Sequence, residues 1–163
     1  MSQSFLHQDP PDINFMKEAL REAAKALAAD EVPVGAVVVQ EGRVIGRGYN
    51  QVEMLKDPTA HAEMIAITSA TATIEDKHLR DATLYVTVEP CSMCAGASVL
   101  ARLKRVVYGV QDVKTGAHSS LFNLLNDPRL NHRIEVTPGI LREECARLMM
   151  QFFERLRERQ ENK

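Results

Sequence analysis

Two short motifs, His61-Ala62-Glu63 and Pro90-Cys91-Ser92-Met93-Cys94, lie just far enough apart for one helix and one strand. That spacing constrains the fold more than any other feature. Thr59 can cap a helix that starts with Ala60-His61-Ala62-Glu63 and carries Met64, Ile65 and Ile67 to about Ile74. Thr83 to Val88 then reads as a strand, Glu89-Pro90-Cys91 turns into a helix through Ala101, and Val106 to Val110 reads as the next strand. This β-α-β order favours a parallel strand pair with a right-handed crossover, and so an α/β fold.

The residue types at the two helix starts are those of a metal site. Cys91 and Cys94 are three apart, hence neighbours on one helical face, and the positive end of a helix dipole favours the thiolate form a metal requires. His61 supplies a third ligand. Glu63 is two residues beyond it, off that face, and is better placed beside an ion than on it. Three protein ligands leave one tetrahedral position open, as catalytic zinc requires. Water at such a position has its pKa lowered from about 15.7 to about 7, and a nearby carboxylate can collect and return the proton. The competing readings are a redox pair or half of a zinc finger. A finger needs a fourth ligand, and the only other cysteine, Cys145, sits with Leu141, Leu148, Phe152 and Leu156 on an apolar helical stripe. His7, His78, His118 and His132 have no ligand spacing among themselves.

Elsewhere, Asp12 is a suitable N-cap for a helix over about 13–29. Val34 to Val39 and Val44 to Tyr49 form a hairpin around Glu41-Gly42. A short helix near Leu121 to Leu125, a strand at Ile134 to Val136 and a long helix from Leu141 to about Arg159 complete the chain. With 163 residues, the expectation is one domain over 1–163, with 1–11 a flexible tail. The longest apolar stretch, Val34 to Val39, is far short of the roughly 20 residues that span a bilayer. The N-terminus has no basic segment followed by an apolar run, so the expected location is the cytoplasm. The net charge of −2 is unevenly spread: Arg102, Lys104, Arg105, Lys114, Arg129 and Arg133 face only Asp112 and Asp127 within 97–133. That distribution suits a polyanionic partner and equally an idle solvated surface.

His-x-Glu followed after a strand by Pro-Cys-x-x-Cys is the signature of zinc-dependent nucleobase deaminases, a pattern already described for the group. The likeness extends over nearly the whole chain. Glu31-Val32-Pro33-Val34-Gly35-Ala36, Asp57-Pro58-Thr59-Ala60-His61-Ala62-Glu63, Leu84 to Ala97, Asp112-Val113-Lys114-Thr115-Gly116 and Asn131-His132-Arg133 resemble the bacterial tRNA-specific adenosine deaminases. The resemblance implies the cytidine deaminase-like fold, a three-layer α-β-α arrangement with a five-stranded mixed sheet flanked by helices, and a homodimer. It implies one Zn2+ per chain on His61, Cys91 and Cys94, with Glu63 as proton shuttle. It assigns Asn50 to the purine, Asp112 to the ribose or backbone of the flipped nucleotide, and Val34, Val88 and Ala62 to the pocket walls. Lys114 and Arg133 become phosphate contacts. The implied partner is a tRNA anticodon loop, and the implied product is inosine at the wobble position. Read from the residues alone, Asn50 is equally a strand-ending turn residue, Asp112 the cap of an Asx-turn, and Val34 and Val88 ordinary strand core. Two departures stand out: Gln111 replaces a basic residue, and His118-Ser119 replaces a small Ala-Gly pair. The alternatives are a zinc deaminase of free guanine or cytidine and a non-catalytic RNA-binding module, both of which would keep the metal residues.

Overall fold

In a computed structural model, residues 10–163 are described. The expected tail over 1–9 lies outside them. Pro10 and Pro11, by contrast, open the first helix, where a missing N–H costs nothing and the fixed φ is already helical. The elements run α1 (Pro10–Ala28), β1 (Gly35–Gln40), β2 (Arg43–Tyr49), α2 (Val52–Leu55), α3 (Ala62–Ile74), β3 (Ala82–Val88), α4 (Ser92–Leu100), β4 (Arg105–Val110), β5 (Glu135–Pro138) and α5 (Arg142–Glu161).

The five strands make one mixed sheet in the order β2-β1-β3-β4-β5. β1 pairs antiparallel with both β2 and β3, whereas β3–β4 and β4–β5 are parallel. The hairpin turn Glu41-Gly42 has φ of 50° and 72°, the doubly positive backbone whose twist suits flanking strands.

Because strand side chains alternate, each central strand feeds two cores. Ala36 and Val38, Leu84 and Val86, and Val106 and Tyr108 face α3 and α4 and meet Ala62, Ala66, Ala70, Ala95 and Val99. Val37 and Val39, Tyr85 and Val107 face the other way, onto Met16 and Ala19 of α1 and Cys145 of α5. The layers are therefore α3/α4, sheet, α1/α5, as the resemblance implied. The core reading of Cys145 holds: it is 1% exposed, burial pushes its thiol up to about 12, and a Cβ on Gly109 would lie 2.3 Å from its sulfur.

Three local expectations change, and one short element was not foreseen. Thr59 does not cap α3; Asp57 accepts both its N–H (2.8 Å) and its hydroxyl (2.7 Å), and His61 becomes the N-cap. No helix forms over 121–125, because the amides of His118, Ser119 and Ser120 are taken by the Glu89 carboxylate and those of Leu121 and Phe122 by the Gly116 carbonyl. The four-residue α2 had no periodic signal.

Asp12, finally, is the third residue of α1, not its cap. Its carboxylate is 3% exposed and accepts from Arg105 (2.6 and 2.8 Å) and from the Tyr85 hydroxyl (2.8 Å), tying α1 to β3 and β4. Burial pushes its pKa up, but the Arg105 and Tyr85 hydrogen bonds and the Arg105 charge outweigh it and leave the carboxyl below its ordinary value. A depressed folded pKa means the stabilisation is complete above the unfolded value of about 3.9 and is lost as pH falls through the folded one. Asp12→Asn is expected to cost about 2–3 kcal/mol at pH 7, since it leaves a part-buried guanidinium short of its counterion. Denaturant titrations should show that gap closing below about pH 4. An equal gap at pH 3 and pH 7 would refute the ion pair as the cause.

Candidate active site

The site forms where the helix starts meet the ends of the strands. β3 ends at Val88, the chain turns through Glu89-Pro90, and Cys91, with extended backbone (φ −72°, ψ 176°), is the N-cap of α4. His61 is the N-cap of α3 in the same way (φ −75°, ψ 151°). Both candidate motifs thus sit at helix N-termini, where unpaired N–H groups favour negative charge. α3 reaches the sheet because β2 presents Gly46 and Gly48 to it. A Cβ on Gly48 would lie 2.4 Å from the Ala62 carbonyl oxygen and one on Gly46 2.4 Å from that of Ala66.

This packing brings His61 Nδ1 to 3.6 Å from Cys91 Sγ and 3.5 Å from Cys94 Sγ, and all three donor atoms lie within 4.8 Å of one another. A tetrahedral zinc with Zn–S of about 2.3 Å and Zn–N of about 2.0–2.1 Å requires N···S separations of about 3.6 Å. The donor set therefore fits zinc in kind and in spacing. Which imidazole nitrogen is offered, Nδ1, could not be read from the sequence.

The electrostatics agree with this use. A hydrogen bond from Cys94 holds the Cys91 thiol down at about 4, with His61 adding to the effect. Cys94 is correspondingly driven up, first by that shared hydrogen bond and then by burial. The Cys91 hydrogen bond likewise raises His61. Glu63 is 4% exposed and outside the donor cluster, and burial pushes its carboxyl above the ordinary range.

His61, Glu63 and Cys91 open onto a cavity of about 270 Å³. Val34, Asn50, Ala62, Val88 and Asp112 line it too, so five of the seven residues assigned to substrate are brought together. Asn50 is 7% exposed, and among the described residues its carboxamide has no hydrogen-bond partner; only its backbone N–H is engaged, by the Val34 carbonyl. Asp112 both lines the cavity and caps its own turn, accepting from the amides of Lys114 and Thr115 and from the Thr115 hydroxyl. Lys114 lines a second cavity that shares Val88, Asp112, Thr115 and Met149 with the first. Arg133 lines neither; its guanidinium donates to Asn126.

Sequence reasoning missed Glu31, Glu53, Glu89 and Met149 in the wall. Glu31, 1% exposed, accepts the amides of Glu53 (3.1 Å) and Met54 (2.6 Å) and so holds the start of α2 against the pocket. Met149 comes from α5, four residues after Cys145 and three before Phe152 on that helix's apolar stripe, so from sequence it reads as core with nothing to place it at the pocket. Gln111, one of the departures, donates to Ser119, and His118, the other, contacts the Tyr108 hydroxyl at 2.9 Å. The two departures are linked through Ser119, which also lies 3.4 Å from the Tyr108 hydroxyl.

The sequence pattern of the MafB19-like deaminase family matches residues 11–157. A tRNA-specific adenosine deaminase of Streptococcus pyogenes is 48% identical over 148 residues, 91% of this chain and 93% of that protein. Among solved structures, one from a study of A-to-I editing by tRNA:A34 deaminases at the wobble position is 44% identical with a TM-score of 0.80, covering 83% of this chain and 98% of that one. A guanine deaminase from Nitrosomonas europaea is 25% identical with a TM-score of 0.72, over 88% of this chain and 84% of that one.

Proposed function

The chain belongs to the tRNA-specific adenosine deaminases, and from that premise we propose that its pocket converts adenosine at the tRNA wobble position to inosine, with His61, Cys91 and Cys94 holding one Zn2+ per chain. The single observation that carries the reading is a three-donor cluster of zinc spacing facing a cavity shared with a buried carboxylate outside the cluster. Bound there, zinc supplies Lewis acidity that brings a water's pKa from about 15.7 to about 7.

The remaining work falls to the chain. Glu63 takes the proton that water gives up, delivers it to the purine ring and assists departure of the amine. Across the reaction a C6–O bond forms, the C6–N bond breaks, and adenosine and water become inosine and ammonia. Raising the Glu63 pKa by burial suits a group that must both accept and donate near neutral pH. Asn50 fixes the base, because a carboxamide can donate and accept at a purine edge. Val34, Val88 and Ala62 flank the ring, and Asp112 meets the ribose or backbone of the flipped nucleotide. An unpaired anticodon loop makes extrusion cheaper than a duplex would. Lys114 and Arg133 contact phosphates beyond the pocket.

The chain works as one deaminase domain, 1–163, in the cytoplasm, and as a homodimer. No described helix is long and apolar enough to cross a membrane. Met54 and Leu55 of α2 and Leu100 at the end of α4 are each more than half exposed, which supports a covered face.

The deciding experiment incubates zinc-loaded protein with transcribed tRNAs, guanine and cytidine, and assays inosine by mass spectrometry and ammonia release. Inosine at the wobble position is expected; ammonia from guanine alone would favour a free-base deaminase. Within the same assay, Asn50→Ala is expected to lower kcat/KM for an anticodon stem-loop by about 10–100-fold, the cost of a lost hydrogen bond in a water-poor pocket. An unchanged kcat/KM would remove Asn50 from base recognition.

A further inference from the structure

Glu89 is the most engaged carboxylate among the described residues, and its five donors are four backbone amides and one hydroxyl. It is 3% exposed and sits between the last residue of β3 and the Pro90-Cys91 turn. Its Oε2 accepts from the backbone amides of His118 (2.9 Å), Ser119 (3.1 Å) and Ser120 (3.4 Å). Its Oε1 accepts from the amide of Asp112 (3.2 Å) and from the Ser120 hydroxyl. A Cβ on Gly116 would come within 2.3–2.5 Å of the carboxyl group, so the loop has a glycine where it wraps over the carboxylate. Backbone bonds from Glu89 N–H to the Val110 carbonyl and from Ala117 N–H to the Pro90 carbonyl, both 2.8 Å, bracket the same contact. The segment held in this way, 112–120, carries Asp112 and Thr115 into the wall of the active-site cavity.

We propose that Glu89 is a positioning residue for substrate: it gathers the 112–120 loop around one buried carboxylate and thereby sets the wall against which the flipped nucleotide is seated. This rests on the deaminase reading above. The loop has no helix or strand of its own, and its Asp112, whose oxygens are already used within its turn, is aimed only through that turn. Hydrogen bonds to an ionised acceptor are about twice as strong as neutral ones, so five donors on one carboxylate make a firm anchor for an otherwise irregular segment. Glutamine at this position keeps the shape but turns an NH2 group toward donors that need an acceptor.

The test compares the holoenzyme with Glu89→Gln and Ser120→Ala, the latter removing a single donor from a half-buried site. Zinc content, amide exchange by NMR and steady-state kinetics on an anticodon stem-loop are measured for each. Both variants are expected to hold wild-type zinc and to exchange faster at the amides of Asp112, His118, Ser119 and Ser120. KM should rise about tenfold in Glu89→Gln and about threefold in Ser120→Ala with kcat near wild type, the pattern of lost binding without lost chemistry. Faster exchange with unchanged KM, or a fall in kcat that follows zinc loss, would overturn the proposal. If Glu89→Gln does not fold, Ser120→Ala decides alone by the same two readouts. Should the wild type edit no tRNA, the deaminase reading fails first; amide exchange that stays slow in the variants would fail the anchor independently.

Discussion

Glu63→Ala, loaded with zinc, is expected to bind the metal at wild-type stoichiometry and yet lose about 10²–10⁴-fold in kcat, the range that positioned general acid–base groups contribute. The side chain is buried and lines the cavity, but it is not one of the three clustered donors. Removing it leaves the donor set intact. Stability should change little, because Glu63 makes no salt bridge among the described residues and burial disfavours its charged form. Glu63→Gln keeps the volume and can still hydrogen-bond but cannot carry a proton, so it should be as inactive as alanine. Zinc by plasma mass spectrometry, melting temperature and single-turnover inosine formation check the three parts separately. Turnover within tenfold of wild type in either variant would remove Glu63 from proton transfer.

The cluster of His61, Cys91 and Cys94 was legible because its cues are local. His61 and Cys91 open helices, Cys91 and Cys94 are one turn apart, and the intervening helix and strand force α3 and α4 onto the same side of the sheet. The five-stranded mixed sheet could be expected through resemblance, though not its strand order, while strand alternation alone accounts for the two cores. Other features depend on contacts distant in sequence. Glu31 and Glu89 are single charged residues with no periodicity, and their importance lies in the backbone amides they capture, 22 to 31 positions away. The same capture explains the missing helix over 121–125: apolar Leu121, Leu124 and Leu125 suggested one, but the amides that would open it are already engaged. Asp12 failed as a cap for a related reason, since a buried carboxylate facing Arg105 gains more from the ion pair than from a helix terminus. Asp112 shows that competing readings can both hold, as it caps its turn and lines the pocket together.

Cys91→Ala is expected to lose zinc and activity together, with no detectable inosine where the wild type converts its substrate fully. Cys91 is the donor already poised as a thiolate, at about 4, and its sulfur lies 3.6 Å from the imidazole nitrogen it would share an ion with. Two remaining donors cannot reproduce a three-coordinate protein site. Metal loss also carries a stability signature, because an ion that binds only the folded chain stabilises it by about 4 kcal/mol when free metal exceeds Kd a thousandfold. A chelator should therefore lower the melting temperature of the wild type, and of Glu63→Ala, by about 8–16 °C at about 2–4 °C per kcal/mol for a domain of this size. Cys91→Ala should melt near the chelated wild type and ignore the chelator. The contrast separates the two roles, since Glu63→Ala fails in chemistry with its metal response intact while Cys91→Ala fails in both. A Cys91→Ala protein that still bound one zinc per chain and responded to chelation would place the ion elsewhere, and with it the reacting water.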